Sequence, residues 1–521
     1  MKNKKGFTLI ELLAVIIILA VIALIATPIV LNVVDNARKS ANKDSVYGLL
    51  DSAKLYYMES LLDESKSLSG NLIYKINVSG RKPDSGTVYI NDNGEIALAV
   101  VYDKTCYIKN YSETDLTEAE DTENCNISSL PSEPISKLYK DTVLNGADPE
   151  LKDNLVAVTI NTDGTVKKAD IYSEWYNYTN KTWANAVLLT DNDTYSAGDT
   201  ISEDAIKAYY VWIPRYKYQI FYDGVNDTTK QLINIEFENK DTIKSNGTTK
   251  DSWLTHPAFT FGDTELNGIW VGKFELTGTT ANPTIKPNVE SLRNQNVSTL
   301  FLTTQKLNTN SSMLKNSEWG AIAYLTTSIY GQGLNEVRIN NSSTYITGCA
   351  ASVENGASYN GCEREYNTSI GYLASTTGNI SGIYDMSGGA WEYVMGVLEY
   401  SLNSNIPASG YNNTQYNSGF SGKNLNGTTT TGVSFPNSKY YDIYKYGTTY
   451  NDGVAYSRYH LGDATTEIKG WNGDYAFFVY SSVPWFIRGG FYGGGTNAGV
   501  FAFNYDYGRA HSYFSARAVL R

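Results

Sequence analysis

The sequence predicts an α+β protein: a long amino-terminal helix with a small β-module, then a large β-rich head. Three observations predict it. From Phe7 to Leu31 the chain is almost wholly apolar, with Glu11 its one charge. Most of the remainder reads as short β-branched and aromatic runs broken by Asn, Asp and Gly turns. Finally, 42 Tyr against 12 Pro favours β-structure with polar loops. At 521 residues the chain has room for two or three folded units. Hydrophobic residues are 42% and charged ones 18%, which is not a disordered composition. The net charge, 42 − 54 = −12, speaks against a nucleic-acid partner held by counterion release. Three His and four Cys leave little material for a transition-metal site.

The apolar run could span about 37 Å as a helix, enough for a bilayer core of about 30 Å. Lys2, Lys4 and Lys5 place its amino terminus on the cytoplasmic side, so the head is expected outside the cytoplasm. Pro28 removes one helical hydrogen bond and predicts a kink or local melting. The helix is expected to resume at Asn32 and end near Leu62, before the polar stretch 63–73. Gly86–Ile90, Asn91-Asp92-Asn93-Gly94 and Glu95–Tyr102 read as strand, turn, strand within a module over 63–127. Cys106 and Cys125 flank an acidic loop, and a disulfide suits an extracytoplasmic module. Residues 128–150 read as a linker and 151–204 as a β-rich connecting region. In the latter, Asn161-Thr162-Asp163-Gly164 between two apolar runs signals a hairpin, and Trp175–Tyr178 with Trp183–Val187 suggests another. Between about 400 and 470 the chain is loop-like.

The segment Lys5-Gly6-Phe7-Thr8-Leu9-Ile10-Glu11-Leu12-Leu13 resembles the type IV prepilin signal. The resemblance implies that a prepilin peptidase cuts after Gly6 and that Phe7 is N-methylated, removing residues 1–6. It makes 7–62 the hydrophobic pilin helix and implies other pilin subunits as partners. Glu11 falls on the family's glutamate. A lone carboxylate in an apolar helix needs a partner, and the new amino terminus of the same or a neighbouring subunit would supply it during filament assembly.

Further blocks stand out over 205–521. They are Lys273–Thr277, Gly382–Val394 (Gly-Ile-Tyr-Asp-Met-Ser-Gly-Gly-Ala-Trp-Glu-Tyr-Val), Arg488-Gly489-Gly490-Phe491 and Ser515-Ala516-Arg517. In this order they resemble the formylglycine-generating-enzyme-like (sulfatase-modifying-factor) domain, a form of the C-type-lectin fold. The resemblance makes Asp385 and Glu392 candidate ligands of a structural Ca²⁺, with Gly389 where the family often has Asn. Cys349 and Cys362 read as a loop disulfide. The family's enzymes need two cysteines shortly after the Arg-Gly-Gly block. Those places fall near Gly494 and Gly499, no Cys follows Cys362, and His256, His460 and His511 are scattered, so no catalytic residue is expected.

The stretch Phe491–Tyr513 alternates aromatic, small and polar residues, the vocabulary of binding loops. Candidate ligand-binding residues are Trp485, Tyr492, Asn497, Asn504, Tyr505, Tyr507, His511 and Tyr513. The alternation Phe501, Phe503, Tyr505, Tyr507 puts every second ring on one side of a strand, either core or binding face. The same stretch resembles the variable region of proteins diversified by retroelements, implying hypervariability over 485–521. The expected function is a pilin-like surface protein displaying a non-catalytic binding head for adhesion. Glycan, protein and phage surfaces all suit its aromatic face. The alternatives are a pseudopilin of a type II secretion or DNA-uptake machine with a structural cap, and, disfavoured by the missing cysteines, a formylglycine-generating oxidoreductase.

Overall fold

The computed structural model describes residues 9–521 except 63–65, 67, 69–70, 79, 92–93, 112, 114, 120–124, 126, 128–137, 153, 191–192, 221–229, 248–251, 401–402, 410–416, 424–428, 446–460, 466 and 469. Gly6, Phe7, His460 and most of the predicted linker's first half therefore lie outside the described residues. The chain divides into two compact units, 1–137 and 138–521.

In the first unit, α1 (Leu9–Leu62) is one helix of 54 residues. It runs through Pro28 without the predicted interruption, and it ends where the polar stretch begins. Its first half exposes its apolar side chains, Leu9 and Leu24 among them. Among the described residues no helix is long and apolar enough to cross a membrane.

The second half of α1 buries Val46, Leu49, Leu50 and Ala53, a stripe at i, i+3, i+4, i+7. The stripe packs on an antiparallel sheet ordered β1 (Ser85–Ile90), β2 (Ile96–Tyr102), β3 (Thr105–Lys109), β4 (Thr117–Ala119). Val88, Ile90, Leu98, Val100, Tyr102 and Tyr107 supply the sheet's side of this core. At the β2–β3 turn, Asp103 accepts from Asn42 Nδ2 on the helix at 2.9 Å and pairs with Arg81 at 2.8 Å. Those hydrogen bonds, the Arg81 one first, hold its carboxyl well below the usual range. A disulfide joins Cys106 to Cys125.

The second unit contains an eight-stranded antiparallel sheet. Its order is Ser311–Met313, Ala518–Leu520, Gly268–Gly272, β9 (Ile206–Pro214), β7 (Asn185–Leu189), β5 (Leu155–Ile160), β6 (Val166–Lys168), β8 (Thr200–Ile201). The region 151–204 is thus no connecting region: it supplies four strands to the head's sheet. The Asn161–Gly164 turn joins β5 to β6, with Gly164 at φ +90°. The second suggested hairpin differs, because β7 pairs with β5 and β9, and Asn177 meets only Thr182 in a single bridge. The predicted linker is also corrected over its second half. Leu144 and Ala147 are buried, and carbonyls of this segment accept the indole N–H groups of two core tryptophans, Ala147 from Trp212 and Glu150 from Trp270.

Helix α2 (Asn316–Thr326) is buried on every side. Glu318 accepts from the Lys315 backbone N–H at its start, at 2.7 Å. Gly320 lets the Gly462 carbonyl approach so closely that a Cβ there would lie 1.9 Å from it. A second sheet centres on the long strand Trp391–Tyr400. Trp485–Arg488 pairs with it antiparallel, Phe514–Ala516 and Asp442–Tyr444 pair parallel, and Phe503–Asp506 extends the sheet beyond Trp485–Arg488.

Candidate ligand-binding surface

The sequence blocks over 205–521 converge on one another in space. Lys273, fully buried, donates from Nζ to Asn185 Oδ1 (2.9 Å), Ile380 O (2.6 Å) and Gly382 O (2.8 Å). Burial pushes its pKa well below the ordinary lysine value. Glu275 accepts from Ala390 N–H at 2.8 Å. Gly388 N–H donates to Gly489 O at 3.0 Å, stitching the second block to the third. Arg517 forks onto Glu392, Nε to Oε2 at 3.1 Å and Nη2 to Oε1 at 2.5 Å. Its other donors reach Gly272 O and Tyr384 O. Arg488 bonds Asn316 Oδ1 at 2.9 Å and Asp463 O at 3.1 Å.

The two candidate Ca²⁺ ligands belong to this network. Asp385 Oδ1 accepts from Asn340 Nδ2 and Gly348 N–H, each at 2.8 Å, while Glu392 is taken by Arg517. Protein donors therefore already engage Asp385 Oδ1 and both Glu392 oxygens. Among the described residues, no group of three or more His, Cys, Asp or Glu could hold a metal ion. Burial is the main cause that raises the pKa of Asp385 and, to about 7, that of Glu392, both against the lowering effect of Arg517.

This scaffold carries the carboxy-terminal loops. Gly490, at φ +84°, leaves no room for a Cβ, which would sit 2.6 Å from Ala498 Cα. The chain turns there into Phe491 and Tyr492, and Tyr492 N–H donates to Gly389 O at 2.9 Å. Trp391 N–H donates to Tyr513 O at 2.9 Å, and Asn294 N–H to His511 O at 3.0 Å. These bonds gather an aromatic platform. Tyr345 forms its floor, 5% exposed, edge-on to Tyr492 at 5.0 Å and near-parallel to Tyr513 at 6.4 Å. Phe491 stacks on Tyr513 at 5.7 Å, and His511 meets Tyr513 at 4.9 Å. The Arg293 guanidinium lies 3.8 Å from the Tyr345 ring centre and donates to Ser512 O at 2.5 Å. Tyr345 holds φ at +59°, a left-handed conformation uncommon for an aromatic residue. The Cys349–Cys362 disulfide fastens the chain just beyond it. Tyr513 is 41% exposed, so the platform's outer ring faces solvent.

Of the candidate binding residues, Tyr492, His511 and Tyr513 thus come together. Asn497 is reached through Tyr475, whose N–H donates to Asn497 O at 3.0 Å and whose ring lies 6.1 Å from Trp391. Tyr505 packs edge-on to Tyr480 at 5.0 Å, Asn504 Oδ1 accepts from Tyr505 N–H at 2.9 Å, and Tyr507 lies under Arg509 at 5.4 Å. Trp485 is a correction. It is fully buried, packed near-parallel against the stacked pair Phe420 (5.7 Å) and Phe435 (5.9 Å), and belongs to the core. Phe501 and Phe503 are core as well, each 1% exposed. Sequence reasoning missed Arg293 and Tyr345, which lie far from the aromatic stretch in the chain and carry no local signal.

His511 has its pKa lowered by burial and then by the Arg509 charge, so it favours the neutral form at pH 7. His256 is buried, accepts from Ala258 N–H at 3.2 Å, and is pushed down to about 3 by burial.

Residues 1–27 match the family model described as the prokaryotic N-terminal methylation motif. No curated protein matches the chain. Among solved structures, the chain is similar to the Major Tropism Determinant U1 Variant, at 12% identity and a TM-score of 0.25, over 85% of this chain and 82% of that one.

Proposed function

We propose that this chain is a type IV pilin-like surface protein whose head, of formylglycine-generating-enzyme-like C-type-lectin fold, binds a ligand without catalysis. The observation that carries the reading is the methylation motif at residues 1–27. It implies processing by prepilin peptidase, membrane insertion, and assembly with other pilin subunits. The fold assignment rests on the sequence blocks, supported by their mutual contacts through Lys273, Glu275, Glu392, Arg488 and Arg517.

The binding surface is the platform of Tyr345, Phe491, Tyr492, His511 and Tyr513. Rigid rings lose little entropy on contact, and display along a filament converts weak single-site binding into avidity. The absence of catalysis is supported at the two places where the family's enzymes carry cysteines. A Cβ at Gly499 would lie 2.2 Å from an Asp474 carboxylate oxygen, and one at Gly494 would lie 3.1 Å from Ala498 Cβ. All four cysteines of the chain are in disulfides.

The test is a Tyr492→Ala/Tyr513→Ala chain expressed in its own cells. Filaments should assemble at normal levels while attachment to the cells' natural surface falls at least tenfold. Unchanged attachment would refute the binding surface. Sequencing codons 485–521 across sibling copies tests hypervariability, and an invariant stretch would remove it.

A further inference from the structure

A second candidate site lies on the head, lined by no residue of the 485–521 stretch. It is a cavity of about 400 Å³, within the range of small-molecule sites. Lys230, Glu336, Arg338, Glu354 and Asn472 bring charge and polarity to its wall. The loop after α2 supplies Glu336 and Arg338, and Arg338 is held by its backbone N–H on Leu373 O at 2.9 Å.

The cavity's cations and carboxylates do not pair with each other. Arg338 donates from Nη1 to Ser352 O at 2.5 Å and Ala351 O at 3.4 Å. Among the described residues its Nη2 and Nε find no acceptor. Lys230 spends its ammonium on Leu334 O at 2.8 Å and Asn472 Oδ1 at 2.7 Å, both neutral groups. On the acidic side, Glu336 and Glu354 line the same wall. Glu336 Oε1 is buried with no hydrogen-bond partner. Burial, and then the neighbouring Glu354 charge, push Glu336 up to about 7. A buried unpaired carboxylate oxygen is costly alone, and the open guanidinium edge of Arg338 lines the same cavity. Lining one cavity without meeting, they are complementary to a molecule that carries both opposite charges.

We infer that this cavity is a receptor for a small zwitterion of the α-amino-acid class. The ligand's carboxylate takes the open edge of Arg338 with support from Lys230. Its ammonium takes Glu336 Oε1 and Glu354. Asn472 is placed to accept or donate beside them.

Calorimetric titration of the full chain with L-alanine tests this, with acetate and methylammonium as probes of either charge alone. Saturable binding of L-alanine is expected, with neither single-charge probe binding at the same concentrations. Arg338→Gln and Glu336→Gln should each weaken it at least tenfold, with near-ultraviolet dichroism unchanged to show that the head is folded. No saturable L-alanine binding would overturn the inference. So would equal binding of methylammonium, which would mean a cation site only, equal binding of acetate, or undiminished binding in both folded variants. Loss of attachment through the aromatic platform leaves this result untouched, so the two readings fail separately.

Discussion

Replacing Arg517 by Met is the most informative perturbation of the head. Arg517 is fully buried and makes four hydrogen bonds, two to Glu392 and one each to Gly272 O and Tyr384 O. The methionine keeps part of the side chain's volume and removes every donor. Glu392 is then left buried without its counter-charge, beside Asp385, whose charge also raises its pKa. Breaking one side of a buried pair costs about 3–5 kcal/mol. Stranding a buried carbonyl adds about 1 kcal/mol or more. Protonation of Glu392 limits the total, because its pKa already stands at about 7 and neutralisation is cheap there. A net cost of about 4 kcal/mol at pH 7 follows. All nine tryptophans lie beyond residue 138, so tryptophan fluorescence during urea unfolding reports on the head alone. Adding Glu392→Gln in the same chain should recover at least about 1 kcal/mol, since the pair is coupled. A cost for Arg517→Met below about 1 kcal/mol, or strict additivity in the double variant, would refute the reasoning that this pair holds the sequence blocks together.

Other outcomes follow from the same structure. Trp485→Ala should cost about 3–5 kcal/mol in the same assay, as a core deletion does, whereas the exposed Tyr513→Ala should cost under about 1 kcal/mol. Glu467, partly buried, accepts from Tyr218, Tyr324 and the Gly462 N–H, and burial raises it to about 7. Its folded pKa lies above the unfolded value, so its contribution is complete below about pH 4.5 and is lost as pH rises through about 7, by about 3 kcal/mol in all. Glu467→Gln should remove that slope, read as the wild-type-minus-variant difference in urea midpoints from pH 4.5 to 8. Removing the Cys106–Cys125 disulfide, whose cysteines are 19 residues apart, should cost the amino-terminal unit about 3 kcal/mol, read by far-ultraviolet dichroism of the Cys106→Ala/Cys125→Ala chain against the intact one.

What the sequence disclosed was mostly local. The end of α1 at Leu62 follows from the polar stretch beyond it, and the β5–β6 hairpin follows from Asn161–Gly164. Both are decided by neighbours in the chain. The errors came where distant residues decide. The segment 138–150 looks like a polar linker, yet its carbonyls are the partners Trp212 and Trp270 need, more than sixty residues away. Trp485 sits next to a binding-like stretch, but Phe420 and Phe435 claim its ring. The platform was half legible. Tyr492, His511 and Tyr513 were visible as exposed-type aromatics, while Arg293 and Tyr345 reach them only because backbone bonds from Asn294 and Trp391 draw the loops together. In α1 the Pro28 rule predicted a kink or local melting, and the helix continues through the proline without melting.

The central claim is that a processed pilin helix carries this head to the cell surface. Mass spectrometry of the chain's amino-terminal peptide, from filaments sheared off cells, tests it most directly. The account predicts a sheared chain that begins at N-methylated Phe7 and still contains the head's peptides up to Arg521. A chain that begins at Met1 and stays with the membrane fraction, or filaments without the head, would contradict it.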